Sequence, residues 1–154
     1  LNKDELILKF DIKAVSFQQQ RFSGGGVYKT AYQKEFEIDV RKALLMAKSE
    51  LDLFASSFNE KTHVIESHWL FGYEDFFTVK EGKVSSKCLD LDNSIKNIQD
   101  YVFKFMQLDD KYICETHSFK WKTPEDCIFL RLKLWNKEEM NKKVGVFILD
   151  SFTN

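Results

Sequence analysis

Residues 31 to about 56 run without a glycine or a proline, and Phe36, Val40, Leu44, Ala47, Leu51 and Phe54 recur there at three- and four-residue steps. That spacing puts the apolar side chains on one side of a long amphipathic helix, which must be covered by a core. The flanking segments supply strands for it. Leu6, Leu8, Phe10 and Ile12 lie two apart, with polar Lys9 and Asp11 between the last three, in a run that continues towards Val15, the period-two pattern of a half-buried strand. After a turn at Asn59 and Glu60, residues 62–71 (THVIESHWLF) have strand composition. A second helix follows Asp92, with Ile95, Ile98, Val102 and Phe105 facing inward. Residues 112–121 and 127–135 read as two more strands, joined as a hairpin across Thr123, Pro124, Glu125 and Asp126. The polar residues 136–143 then lead to an apolar run, 144–149, expected to be an edge strand or a dimer-facing segment.

The order β, α, β, α, β, β predicts an α+β fold: a mixed or antiparallel sheet packed with two main helices, in one domain spanning residues 1–154. One proline and six glycines leave little material for a linker, and 15 phenylalanines with 44% hydrophobic residues exclude a disordered chain. No run approaches the roughly 18 apolar residues of a membrane span, and no signal-peptide pattern is present, so a cytoplasmic protein is expected. Cys88, Cys114 and Cys127 show no C-x-x-C spacing and read as free thiols. The net charge of −1 neither demands nor forbids a polyanionic partner.

Placed charge is densest in residues 87–115, KCLDLDNSIKNIQDYVFKFMQLDDKYICE. Asp90 and Asp92 lie two apart on an extended approach, which sends both side chains to one face. Asp92 stands where the helix is expected to start, Lys96 follows one turn later, and Asp109 and Asp110 come where the helix ends. Most of this has a structural explanation. Asp92 as an N-cap is worth about 1 kcal/mol. Asp100 with Lys96 and Lys104 makes i,i+4 pairs of roughly 0.3–0.5 kcal/mol each, and the distal pair suits a turn. A second carboxylate beside the cap is harder to explain, because it adds repulsion unless a cation is present. A hard divalent ion such as magnesium, which takes oxygen ligands, answers that. His63 and His68 are five apart and face opposite sides of a strand, so they are read as structural. Residues 16–30 (SFQQQRFSGGGVYKT) form a glycine-rich hairpin or loop, where Arg21 and Lys29 are candidate phosphate contacts. Lys83 and Lys87 on the polar connection 72–86 and just beyond it are further candidates.

The run DLDNSIKNIQD with QLDD at the end of the helix resembles the signature of RusA-type endodeoxyribonucleases, the Holliday-junction resolvases of bacteria, phages and prophages. Upstream, KAVSFQQQRFSGGGVYKTAYQKEFE is similar to the family's first strand, Arg-Phe loop, Val-Tyr pair and helix. The resemblance implies a homodimer that resolves four-way DNA junctions by paired phosphodiester hydrolysis with Mg2+, for which Mn2+ can substitute, in a bacterial or phage-infected cell. It places the catalytic and metal-binding carboxylates on Asp90, Asp92 and Asp110, and the essential lysine on Lys96. Leu89 stands where members often carry arginine. The helix-to-acid spacing is also about one residue short, so Asp109 stays beside Asp110 as third ligand. A non-catalytic branched-DNA-binding protein of the same fold, or a nuclease for other branched DNA, is the alternative.

Overall fold

The structure is a computed structural model and describes residues 4–15, 20–23 and 26–152. It is α+β, with a four-stranded mixed sheet and four helices. The opening alternation forms β1 (Glu5–Phe10), which pairs antiparallel with β6 (Cys127–Asn136) from Glu5 opposite Lys133 to Phe10 opposite Ile128. The strand stops at Phe10 instead of running on to Val15, because β6 offers almost no partner beyond Ile128. β2 (Gln20–Ser23) and β3 (Gly26–Lys29) make a separate antiparallel pair. This matches the expected hairpin, although Gly24 and Gly25 lie outside the described residues.

The expected single helix is two. α1 (Ala31–Met46) and α2 (Lys48–Ser57) meet at Ala47, whose φ of −96° and ψ of 18° interrupt the helix without a glycine or proline. Hydrogen bonding nearly continues through the break, from Ala47 N to Ala43 O at 3.1 Å and from Leu51 N to Ala47 O at 3.0 Å. The apolar spacing therefore survives it, and Phe36, Val40, Leu44, Leu51 and Phe54 are all buried. Thr30 caps α1 by accepting from Gln33 N.

β4 (His63–Tyr73) is the centre of the sheet, whose order is β1-β6-β4-β5. It pairs antiparallel with β6 and parallel with β5 (Ile113–Lys122). β5 and β6 are thus neighbours in sequence but not in space, which corrects the expected hairpin. The connection 123–126 crosses the end of β4 at Gly72. A Cβ there would lie 2.4 Å from Thr123 Oγ1 and 2.6 Å from Cys127 Sγ, so only glycine admits the crossing. The apolar tail is likewise no strand: it lies in α4 (Lys137–Phe152).

Along β4, Ile65, Ser67, Trp69, Phe71 and Tyr73 point to the side covered by α1, α2 and α3 (Leu91–Met106), where the core lies. Buried Ile98, Val102, Phe103 and Met106 of α3 share one core there with Ile128, Leu130 and Leu132 of β6. Ile95 and Phe105 are only partly buried, so the inner face of α3 is turned towards Ser94 and Asn97 relative to the sequence expectation. Asn97 Nδ2 donates to Val15 O at 2.7 Å, and its Oδ1 accepts from Gln33 Nε2 of α1 at 2.9 Å. This buried amide pair fixes α3 against α1, which leaves the opposite side of α3 to solvent. Among the described residues, the other face of the sheet, carrying Glu66, His68 and Leu70, is covered only near one end, by α4 through buried Met140. No helix among the described residues is long and apolar enough to cross a membrane.

Candidate functional site

The acidic segment begins where β4 ends. Leu89 N donates to Tyr73 Oη at 3.3 Å, and Lys120 Nζ of β5 donates to Leu89 O at 3.1 Å, so the sheet fixes the approach to α3. Lys120 brings a positive charge beside Leu89, a residue that sequence reasoning passed over as part of a strand.

Asp90, not Asp92, occupies the cap position of α3, which corrects the expected start of the helix. Its backbone carbonyl accepts from Ser94 N and Ser94 Oγ, but its carboxylate makes no capping hydrogen bond. Asp92 lies in the first turn, and both carboxylates are exposed. At about 100° per residue, Lys96 and Gln99 fall within roughly 40° of Asp92 around the helix, so the three share one stripe. Gln107 ends α3 in the left-handed conformation, φ 57°, and reverses the chain. The reversal carries Asp110 back along α3, where Gln99 Nε2 donates to Asp110 Oδ2 at 3.0 Å. Asp109 is engaged elsewhere. It caps the short 3-10 turn Asp110–Tyr112, and the Lys111 backbone N–H, followed by the Lys111 ammonium at 3.0 Å, holds its carboxyl below the usual range.

One stripe of α3 therefore gathers Asp92, Lys96 and the Asp110 carboxylate, with Asp90 at its end. Three exposed carboxylates form a hard-oxygen donor set of the kind magnesium takes. They are not gathered to a single point. Among the described residues, the one group of three or more potential ligands within 4.8 Å of each other is Glu66, His68 and His117. Lys83 and Lys87 are exposed on the connection, 2.8 Å from Glu81 and 4.0 Å from Asp75. Arg21 and Lys29 sit on the paired strands β2 and β3.

His63 is structural, as expected: its Nδ1 accepts from Asn59 N at 3.1 Å in the turn before β4. His68 is not isolated. It stacks on His117 of β5, and Glu66, Glu115, Lys143 and Trp135 complete a network around the pair. Burial alone would raise the Glu66 carboxyl, but hydrogen bonds from His68, Lys143 and Trp135 bring it down to about 2. Glu115 is also lowered: burial opposes the shift, and the Lys143 and His117 hydrogen bonds outweigh it. The signal for this network was the repeated Glu-x-His in two expected strands, at Glu66 and His68 and at Glu115 and His117. Pairing His68 with His63 concealed it.

No model of a known protein family matches the chain, and comparison with curated proteins gave no match.

Proposed function

We propose that the protein is a metal-dependent endodeoxyribonuclease of the RusA type, acting as a homodimer on four-way DNA junctions. The observation that carries the reading is the solvent-facing stripe of α3, where Asp92, Lys96 and the Gln99-held Asp110 line up beyond Asp90. A capped helix with a surface salt-bridge ladder accounts for this less well, since Asp92 is not the cap and the Asp90 carboxylate makes no cap bond.

In this reading Asp90, Asp92 and Asp110 hold Mg2+ or Mn2+. The bound ion supplies an activated water and stabilises negative charge on the phosphate and the leaving oxygen. The chain's own groups handle the DNA. The N-terminus of α3 presents backbone N–H groups and a positive dipole end to the scissile phosphate. Lys96, one turn on, either neutralises charge on that phosphate or orients the attacking water. Lys120 places a further cation at the approach, and Arg21, Lys29, Lys83 and Lys87 hold the DNA arms in a salt-sensitive way. Catalytic contacts commonly tighten only with substrate bound, so carboxylates that stand apart in the free protein are compatible with the reaction. Paired incision needs two sites related by a two-fold axis. The exposed Val144, Phe147 and Ile148 of α4 offer an apolar surface for a second copy.

The test is cleavage of a synthetic four-way junction in magnesium by the wild type and by Asp92→Asn; equal cutting by both sinks the assignment. The separation of the three carboxylates favours a second reading, a junction-binding protein of the same fold without turnover. Retardation of the junction in EDTA with no cutting in magnesium or manganese selects it. Cutting of flaps in preference to junctions would instead make the protein a nuclease for other branched DNA.

A further inference from the structure

The open face of the sheet carries ligating side chains that the nuclease reading leaves unused. β4 and β5 each hold a Glu-x-His tripeptide, Glu66-Ser67-His68 and Glu115-Thr116-His117. The strands run parallel, and their register shifts once: Ile65 pairs with Ile113, but Glu66 pairs with Glu115, which leaves Cys114 as an extra residue. Bulges in parallel pairs are rare, and bulges in general re-aim side chains. This one aligns the two tripeptides. In an unbroken register Glu66 would face Cys114 and His68 would face Thr116, so the glutamates and histidines would no longer meet as pairs. As folded, Ser67 and Thr116 join by their hydroxyls at 2.9 Å on the core side. On the open side His68 stacks on His117, with ring centroids 4.6 Å apart and planes 15° from parallel.

Lys143 of α4 engages the outer oxygen of both carboxylates, Glu66 Oε2 at 3.1 Å and Glu115 Oε2, and Trp135 Nε1 donates to the same Glu66 oxygen. Each Oε1 is left facing a histidine Nε2: Glu66 with His68, and Glu115 with His117 at 2.6 Å. The ligating atoms of Glu66, His68 and His117 all lie within 4.8 Å of one another. Glu66 is buried, whereas the His68 and His117 side chains retain 30% and 44% exposure, so an ion reaches the group without the core opening.

We infer that Glu66, His68 and His117 form a zinc-type divalent metal site on the open face of the sheet, on the opposite side from the acidic stripe of α3. Two imidazoles and one carboxylate are a recurrent donor set for zinc with a fourth position open. Imidazole nitrogen favours zinc, copper, nickel and iron over magnesium. Zinc bonds of about 2.0–2.1 Å set tetrahedral donors roughly 3.3 Å apart, so the stacked rings close on the ion by tilting their Nε2 edges together. A cavity of about 350 Å³ adjoins His117 between β5 and α4, with Lys143 in its wall, and gives room for water or a small anion as fourth ligand. The ion would tie the edge strand β5 to the central strand β4.

The test is calorimetric titration of the EDTA-treated full chain with zinc chloride, together with cobalt(II) titration read by visible absorption. The expected result is one zinc per chain, a cobalt band of low coordination number, and no displacement by millimolar magnesium. His117→Ala should weaken zinc binding at least tenfold and remove the band, while the Asp90→Asn, Asp92→Asn double variant binds zinc like the wild type. Should His68→Ala fail to fold, His68→Gln keeps a donor towards Glu66 without the imidazole, and the same tenfold loss is expected. No zinc uptake by the wild type, or uptake that the histidine variants leave unchanged, overturns the inference, as does loss of zinc binding in the aspartate variant alone.

Discussion

The acidic stripe of α3 and the Glu-His network of the open sheet face each bring several ionisable groups together, under opposite constraints. Asp90, Asp92 and Asp110 are exposed, and a side-chain hydrogen bond from Gln99 to Asp110 ties the far end of the stripe to the helix. Glu66 is buried and accepts from His68, Trp135 and Lys143 at once. Charge that the fold does not use can be removed at little cost in stability, whereas removing charge held by three donors destabilises the chain. The stripe should therefore respond to mutation in activity, and the network in stability.

The largest expected effect tests the first half of that contrast. Asp92→Asn keeps the shape of the side chain but removes a carboxylate from the stripe, and junction cleavage should fall by about 10³-fold or more, roughly 4 kcal/mol of transition-state stabilisation. Its unfolding free energy in urea should stay within about 0.5 kcal/mol of the wild type, as expected of an exposed position. A substantial loss of stability would show that Asp92 belongs to the fold, and the contrast would break.

Glu66 tests the other half through pH. Its folded carboxyl titrates at about 2, against an ordinary value of 4.5. A carboxyl held low in the folded state stabilises the protein above its unfolded pKa, and that contribution is lost as pH falls from about 4.5 towards 2. The full contribution at neutral pH is up to about 3 kcal/mol. Urea unfolding of the wild type at pH 7 and pH 3 should show the loss. Glu66→Gln should be less stable than the wild type at pH 7, and the deficit should shrink to roughly half at pH 3, where a carboxyl with a folded pKa of about 2 is still largely ionised. An equal deficit at both values would mean that the ionised form of Glu66 contributes nothing special.

The two regions also differed in how far the sequence exposed them. The stripe was legible because its residues lie within one helix and the turn after it, where spacing converts directly into geometry. Even so, the helix begins two residues earlier than expected, with Asp90 as cap, and Gln99 gave no sign of its role. The network was not legible, because its partners come from β4, β5, β6 and α4, and its alignment depends on a bulge at Cys114 that no local pattern announces. The strand order failed for a similar reason. A short connection between two strands normally makes a hairpin, but this one passes the end of β4, where Gly72 leaves room for the Thr123 and Cys127 side chains. The edge-strand option for the apolar tail failed because 144–149 lacks helical spacing of its own, while α4 runs from Lys137 and buries only Met140. The α+β class and the apolar stripe of α1 were legible, since they rest on periodicity alone, whereas α3 buries only Ile98 and Val102 of its expected inner face.

A sharper form of the contrast lies within α3 itself, between neighbours. Asn97 is buried next to exposed Lys96, and its amide bonds to Gln33 and to Val15 O. Asn97→Ala leaves buried polar groups on α1 and at Val15 unsatisfied and should cost about 2 kcal/mol in urea unfolding. Lys96→Ala, one residue away, should change stability by no more than about 0.5 kcal/mol while abolishing cleavage. Matching stability losses in the two variants would mean that the fold depends on the outer side of α3 no less than on the inner side.

Gln99 carries the smallest expected effect, and it separates positioning from ligation. Its Nε2 donates to Asp110 Oδ2 at 3.0 Å from the same stripe as Asp92 and Lys96. If Asp110 is the third ligand, Gln99→Ala leaves every proposed ligand in place and frees only the orientation of one, so cleavage should fall by about tenfold, roughly 1.4 kcal/mol. Raising manganese should recover most of that loss, because a correctly placed carboxylate can be selected by the ion at the expense of apparent affinity. Asp110→Asn, by contrast, should stay inactive at any manganese concentration. Gln99→Ala with unchanged cleavage, beside an inactive Asp109→Asn, would transfer the ligand role to Asp109. Its present engagement by the Lys111 backbone N–H and ammonium would then have to give way when metal and DNA bind.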